Sequence, residues 1–306
     1  MHGLMTRFIR EEQGTAVVVI ALAFTMLLGF AALAVDTGVL YLEHTRLARA
    51  ADAAVLAGAQ ELPDTSRALT RALDYAQRNG ADPSAINISF SPDNKKIILT
   101  TSKTVNLYFA RALGFNTSTV NSRAVARISP IKNVKGLIPL GINEDLLPLS
   151  AGAEYMIKGG SQDGNPWRGI IEFPGQGNGG NNYRNLVING YNASVQIDDL
   201  EGKVPGNKSG PTEQGIEDRI SACTDGCTWN NYQPGCPRVI LVPIYRDLGS
   251  QLTVVGFASV FLERLGNENG KGKDNRVFVR YIYNTVSGET DDSITNSYLY
   301  GIKLSE

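Results

Sequence analysis

Histidine is nearly absent. The chain of 306 residues holds two, His2 and His44, both close to the first apolar stretch. The remainder offers no imidazole for acid–base catalysis or metal ligation. Charge of one sign is lacking too: a net charge of −1 gives no field that would draw nucleic acid or an acidic partner. Cysteine is scarce, with three residues confined to positions 223–236. That clustering suits an oxidising compartment, although an odd count does not demand one. Proline is missing from Asp36 to Gln60, and charge is missing from Ala16 to Val35.

The uncharged run organises everything else. Of its twenty residues, eleven are Val, Ile, Leu or Phe, six are Ala and one is Met; only Thr25 and Gly29 interrupt it. As a helix it spans roughly 30 Å, the thickness of a bilayer core. A helix satisfies its own backbone in hydrocarbon, so a retained transmembrane anchor is expected. The rival is a cleaved signal peptide, with Arg7 and Arg10 as its basic start and Ala32-Leu33-Ala34 as its cleavage site. Twenty apolar residues exceed the usual core of such a peptide, about 7–15, and Glu11-Glu12 is unusual in one. Arginines flank the run on both sides, so the positive-inside comparison is nearly level. Asp36 and the cysteines favour a cytoplasmic N-terminus with the bulk outside.

Beyond Val35 the helical pattern continues. Glu43 and Arg46, then Arg49 and Asp52, pair at i,i+3. Ala50, Ala54 and Gly58 form a small-residue stripe that admits close approach of another helix. The partner of that stripe is either another protein or this chain's own domain. A helix from Thr15 to Gln60 would measure roughly 70 Å, with Gly38 and Gly58 as possible hinges.

Several features together carry a resemblance. They are Arg7-Phe8-Ile9-Arg10, Gly14, the apolar run ending Ala34-Val35-Asp36, Gly38, Tyr41, Leu47 and the box Ala50-Ala51-Asp52-Ala53-Ala54-Val55-Leu56-Ala57-Gly58-Ala59. This pattern resembles the N-terminal segment of TadG-like proteins of the Tad/Flp pilus-assembly machinery. Val105 to Gly114 followed by Val120 to Arg127 resembles that family's second block. Cys236-Pro237-Arg238-Val239, Val242-Pro243 and Val255-Gly256-Phe257-Ala258 resemble the C-terminal region of some members. The resemblance implies a non-enzymatic envelope protein, a minor pilin-like or anchoring subunit. It would bind the bacterial membrane and other pilus-assembly proteins through its N-terminal helix.

Along the chain, Asp64 is a natural N-cap for a helix spaced by Leu69, Leu73 and Ala76 and stopped by Gly80. Strands are expected at Ile86–Phe90, Ile97–Ser102 and Thr119–Ile128, with a short helix at Asn106–Leu113. Gly175–Asn185 and Gly202–Pro211 read as loops. Short strands fit at Tyr155–Lys158, Leu186–Asn189 and Ser194–Ile197. Longer ones fit at Val239–Tyr245, Thr253–Phe261, Val277–Tyr283 and Tyr298–Leu304. The expected fold is α+β: a tail over 1–15, a transmembrane helix over 16–35 and a helical stalk over 36–60. A small α+β domain over 61–130 and a β-rich domain over 131–306 follow.

Each catalytic motif fails. Gly175-x-Gly177-x-Gly179-Gly180 has no strand directly before it and a poor helix start after it, so it is no dinucleotide loop. Asp163-Gly164-Asn165 begins like a calcium loop and continues with Pro166. Asp291-Asp292-Ser293-Ile294-Thr295 partly mimics the metal motif of the von Willebrand A domain carried by some TadG-like proteins. Too little chain follows it for that module. Adjacent carboxylates, Asp198-Asp199 and Asp291-Asp292, diverge on an extended chain. Cys223-x3-Cys227-x8-Cys236 allows three single disulfides. Zinc would need four N or S ligands where only three thiolates stand. One disulfide is expected, with Cys227–Cys236 slightly ahead; a ten-residue loop closed this way contributes roughly 2.5–3 kcal/mol. No catalytic residue, cofactor or metal is expected. The alternative function is a membrane-tethered adhesin or glycan binder using Trp167, Trp229 and Tyr183. Exposed rings would favour it and buried ones would favour packing.

Overall fold

The computed structural model describes residues 5–159, 167–177, 179–266 and 276–305. The chain divides into two compact units, 1–126 with 304–306, and 127–303.

The first unit is led by one unbroken helix, α1 (Met5–Ala59). At 1.5 Å per residue it is roughly 80 Å long, and neither Gly38 nor Gly58 interrupts it. Asp64 caps α2 (Thr65–Arg78), its side chain accepting from the backbone N–H groups of Ser66 and Arg67. The buried face of α2 is Ala68, Ala72 and Ala76, whereas Leu69 is exposed. The leucine spacing therefore points to the wrong face. Alanine wins because α2 lies close against α1, where Ala50, Ala51, Ala54 and Val55 are buried and a leucine would hold the helices apart. At Gly58 a Cβ would stand 3.0 Å from the Ala68 carbonyl oxygen, 3.0 Å from Ala72 Cβ and 2.6 Å from Ile97 Cδ1. The same unit contains strands β1 (Ile86–Phe90), β2 (Lys96–Asn106) and most of β3 (Thr117–Pro130), hydrogen-bonded in that order. β1 and β2 are antiparallel, with Ile88 opposite Leu99. β2 runs further than expected, and the expected helix over Asn106–Leu113 shrinks to a 3₁₀ turn at Ala110–Leu113 ended by Gly114 at φ +93°.

The second unit is built from β4 (Asn133–Val134), β5 (Ile142–Asn143), β6 (Glu154–Lys158), β7 (Trp167–Glu172), β8 (Val195–Gln196), β9 (Leu200–Pro205), β10 (Val239–Asp247), β11 (Leu252–Leu265), β12 (Val277–Tyr281) and β13 (Tyr300–Ser305). Its main sheet runs β5-β10-β11-β12-β6, with β9 added to β11 and β7 to β9. Only β5 on β10 is parallel among those pairs. A separate pair joins β4 and β8. Along β12, Val277, Val279 and Tyr281 are buried while Phe278 and Arg280 are half-buried. Two helices were not legible in the sequence. α3 (Gly180–Asn189) takes up part of the expected loop to Asn185 and the expected strand Leu186–Asn189, and the expected Gly202–Pro211 loop is divided between the end of β9 and the start of α4 (Ser209–Ser221). They pack on each other through Val187 against Gly215 and through Tyr183 Oη to Thr212 Oγ1 at 3.0 Å. Arg219 ties them down by donating to the carbonyls of Val187 and Pro237, and burial lowers its pKa to about 10. Tyr183, Val187 and Ile216 share one core with Ile240, Val242, Val260 and Val279. A second core gathers Ile131, Phe173, Tyr191, Phe257 and Leu299.

Candidate functional site

The site of interest is where α1 leaves its apolar run. From Val17 to Val35 every large apolar side chain is exposed, between 46% and 71%. Asp36, the next residue, is only 5% exposed, although Thr37, Gly38, Tyr41 and Leu42 beyond it are exposed again. Its carboxylate accepts from three successive backbone N–H groups across the β2–β3 connection. Oδ1 takes Tyr108 N–H at 2.8 Å, Oδ2 takes Ala110 N–H at 2.7 Å, and Phe109 N–H is shared between them. These are the otherwise unpartnered donors at the start of the 3₁₀ turn, so Asp36 acts as its N-cap from a distant helix. Charge-assisted bonds of this kind are stronger than neutral ones.

A second clamp lies further along α1. Glu43 accepts from Lys103 on β2 and from Arg46, and the Lys103 ammonium is the main reason its carboxyl lies below its ordinary pKa. A third contact sets Gly58 against Ile97. The order Gly58–Ile97, Glu43–Lys103, Asp36–Tyr108 shows β2 running back along α1 toward the apolar run. The twenty-two helical steps from Asp36 to Gly58 rise roughly 33 Å, and the extended chain from Ile97 to Tyr108 reaches about as far.

The stripe Ala50, Ala54, Gly58 is thereby occupied within the chain: Ala50 is 1% and Ala54 0% exposed. Of the two partners left open by the sequence, the chain's own α2 and β2 fill the stripe, so it offers no free face to another protein.

The cysteines also differ from expectation. All three are free here, and Cys223 and Cys236 do not stand at disulfide distance. Sγ of Cys223 lies 3.6 Å from Sγ of Cys236, against roughly 2.05 Å for a bond, and the three sulfurs lie within 4.8 Å of one another. Cys227 and Cys236 are buried beside Phe261 and Ile282, with Trp229 and Tyr232 packed around them. Burial raises the Cys236 thiol to about 11. At Cys223 burial also pushes upward, but the N–H groups of Cys227 and Asp225 and the neighbouring thiols outweigh it and hold the pKa below its usual value.

The remaining sequence candidates settle plainly. Tyr183 is 4% exposed and bonded to Thr212, which removes it from any glycan surface; Trp229 is partly buried against the cysteines. The side chain of Trp167 and the segment Asp163-Gly164-Asn165 lie outside the described residues. A strand does precede the Gly175–Gly180 loop and a helix does follow it, contrary to the grounds on which it was set aside. β7 is nevertheless antiparallel to β9, so the unit is not a parallel dinucleotide crossover. Asp291 accepts from Ser293 and Asp292 from Ser129 and Arg127, so both carboxylates are tied into local turns and pairs. Glu201 was missed: it is 2% exposed, its Oε2 has no partner among the described residues, and burial raises its pKa to about 7 with Asp199 adding to the shift.

Comparison with known families finds one similarity, in the N-terminal part. The family model described as "Putative Flp pilus-assembly TadE/G-like" matches residues 14–61. This segment is similar to that family. It covers the apolar run, the Asp36 clamp residue, Glu43 and the filled stripe, and ends two residues past α1. No curated protein matches the chain, and no solved structure does.

Proposed function

We propose that the chain is a non-enzymatic, single-pass envelope protein of Tad/Flp pilus assembly, acting as an anchoring or minor pilin-like subunit. Residues 16–35 cross the membrane, 1–15 stay on the cytoplasmic side, and the rest of the chain stands beyond it. The observation that carries this reading is the coincidence of the TadE/G-like match with an exposed, uncharged, membrane-length helix joined without a break to a clamped stalk. With the Ala50–Gly58 stripe filled, other pilus proteins would meet α1 on its exposed faces, those of the span among them.

The test is deletion in the source cell, with pili counted by electron microscopy. Loss of pili, restored by the full chain but not by the same chain fused to a cleaved signal peptide in place of residues 1–35, is expected. Normal piliation in the deletion strain would refute the role.

A further inference from the structure

The β2–β3 connection carries a feature that the anchoring reading does not use. Tyr108, Phe109, Leu113 and Phe115 are 69%, 51%, 79% and 65% exposed, four large apolar side chains within eight residues. The loop is not loose. Leu107 N–H donates to the Asn116 carbonyl across its base, Phe115 N–H donates to Ala110, and Asp36 caps the turn. A rigid loop that shows its apolar side chains outward has its partner elsewhere. Asp36, which holds the loop, is the residue immediately after the apolar run. The loop is therefore pinned at the depth where the hydrocarbon core ends and the headgroup layer, about 5–7 Å thick, begins. Tyr41, 70% exposed on α1 and within about two turns of Val35, lies where interfacial aromatic rings collect. Arg111, exposed on the same turn, has the reach to set its guanidinium among lipid phosphates while its stem covers apolar surface.

We propose that the 108–115 loop is a lipid-inserting wedge. Tyr108, Phe109, Leu113 and Phe115 enter the outer edge of the bilayer beside the span, and Asp36 is the positioning residue that sets their depth. The span and the wedge give the first unit two points of membrane contact, which fixes the tilt of the stalk where a single helix would leave it free to swing. The occupant is lipid because the patch is continuous with the exposed span. A protein partner on the same patch is the competing outcome. The wedge rests on the reading that α1 crosses a membrane.

The experiment uses the full chain in bilayers of lipids brominated along the acyl chain, reading tryptophan quenching. Leu113→Trp reports the wedge and Leu22→Trp reports the span, each against the native background of Trp167 and Trp229. Quenching of both is expected, Leu113→Trp most by bromines near the headgroup and Leu22→Trp most by bromines near the chain end. Adding Asp36→Ala should remove the quenching of Leu113→Trp and leave that of Leu22→Trp. If Leu22→Trp is quenched and Leu113→Trp is not, the wedge is wrong and the anchor stands. If neither is quenched, the anchor fails and the wedge with it.

Three sulfurs that converge without bonding carry a separate inference. In a tetrahedral zinc–thiolate site with bonds of about 2.3 Å the sulfurs stand about 3.8 Å apart. Here the Cys223–Cys236 separation is 3.6 Å, and all three sulfurs fall within 4.8 Å. We infer that Cys223, Cys227 and Cys236 hold one thiophilic cation of the zinc class, the thiols losing their protons to solvent on binding and a water completing the fourth position. The missing fourth protein ligand, which counts against a closed structural site, is what an open site requires.

Cobalt(II) is the probe, added to the reduced full chain. One equivalent bound with an intense thiolate-to-cobalt charge-transfer band is expected, displaced by zinc and lost in Cys223→Ser and Cys227→Ser at unchanged circular dichroism. No charge-transfer band on the folded wild-type chain would overturn the site. So would recovery of the unreduced chain free of metal with one titratable thiol, which would mark a disulfide.

Discussion

The two units solve the packing problem in opposite ways. The first buries alanine: Ala50, Ala51, Ala54, Ala57, Ala59, Ala68, Ala72 and Ala76 line the contact of two helices, and Gly58 admits β2 as well. The second buries bulk. Tyr281, Phe173, Phe257 and Phe261 are among its largest enclosed side chains, and Ala258 is its one buried alanine among the described residues. Small side chains bury little area each, so the first unit relies on close backbone approach and on polar clamps at Asp36 and Glu43. The second relies on apolar area enclosed on both faces of a sheet. The contrast also divides the surface, since the long exposed apolar stretches belong to the first unit.

Substitutions that exchange the two logics test the comparison. The largest effect is expected from Tyr281→Ala, where a fully buried ring meets Tyr283 and Tyr298 edge-on at 5.3 and 5.5 Å. A loss of about 3–5 kcal/mol should appear in denaturant unfolding of the second unit. Next comes Glu201→Gln, where the sign is opposite. The folded pKa, about 7, lies above the ordinary 4.5. The folded state therefore holds its proton more tightly, and stability falls as pH rises from 4.5 through 7. The substitution should stabilise by up to roughly 3 kcal/mol at pH 8 and hardly at all at pH 4, read as the pH dependence of Tm.

In the first unit, Gly58→Val forces a side chain into Ile97 and Ala72 and should cost about 1–3 kcal/mol. Gly29→Val, with nothing within 4 Å, should leave unfolding of that unit unchanged. Asp64→Ala removes the α2 cap and should cost roughly 1 kcal/mol. The smallest effect belongs to Lys103→Ala, a half-exposed partner of Glu43, at about 0.2–1 kcal/mol and shrinking with salt.

Legibility followed the same divide. The apolar run, the Asp64 cap, the strands of β1 and β2 and the α+β class were readable because period, capping and turn chemistry are local signals. The strands β10 to β13 were readable from their β-branched and aromatic content. The helices α3 and α4 were not. Asn181-Asn182 and Gly210-Pro211 carry loop signals, and it is the burial of Tyr183, Val187 and Ile216 against the sheet that makes those segments helical. The buried face of α2 was misread because leucine is the stronger apolar signal, while the requirement for alanine comes from α1. At the candidate site, Asp36 stood out in sequence only as the end of the apolar run. Its three N–H partners lie more than seventy residues away, and no local pattern announces them. The convergence of the cysteines is equally a product of the fold.

The most direct test of the account is the fate of α1 in the cell. Membranes from the source cell are washed with alkaline carbonate, and the N-terminus and mass of the retained chain are determined. The account predicts a chain that stays with the lipid and keeps residues 16–35. A soluble chain whose first residue is Val35 would contradict it.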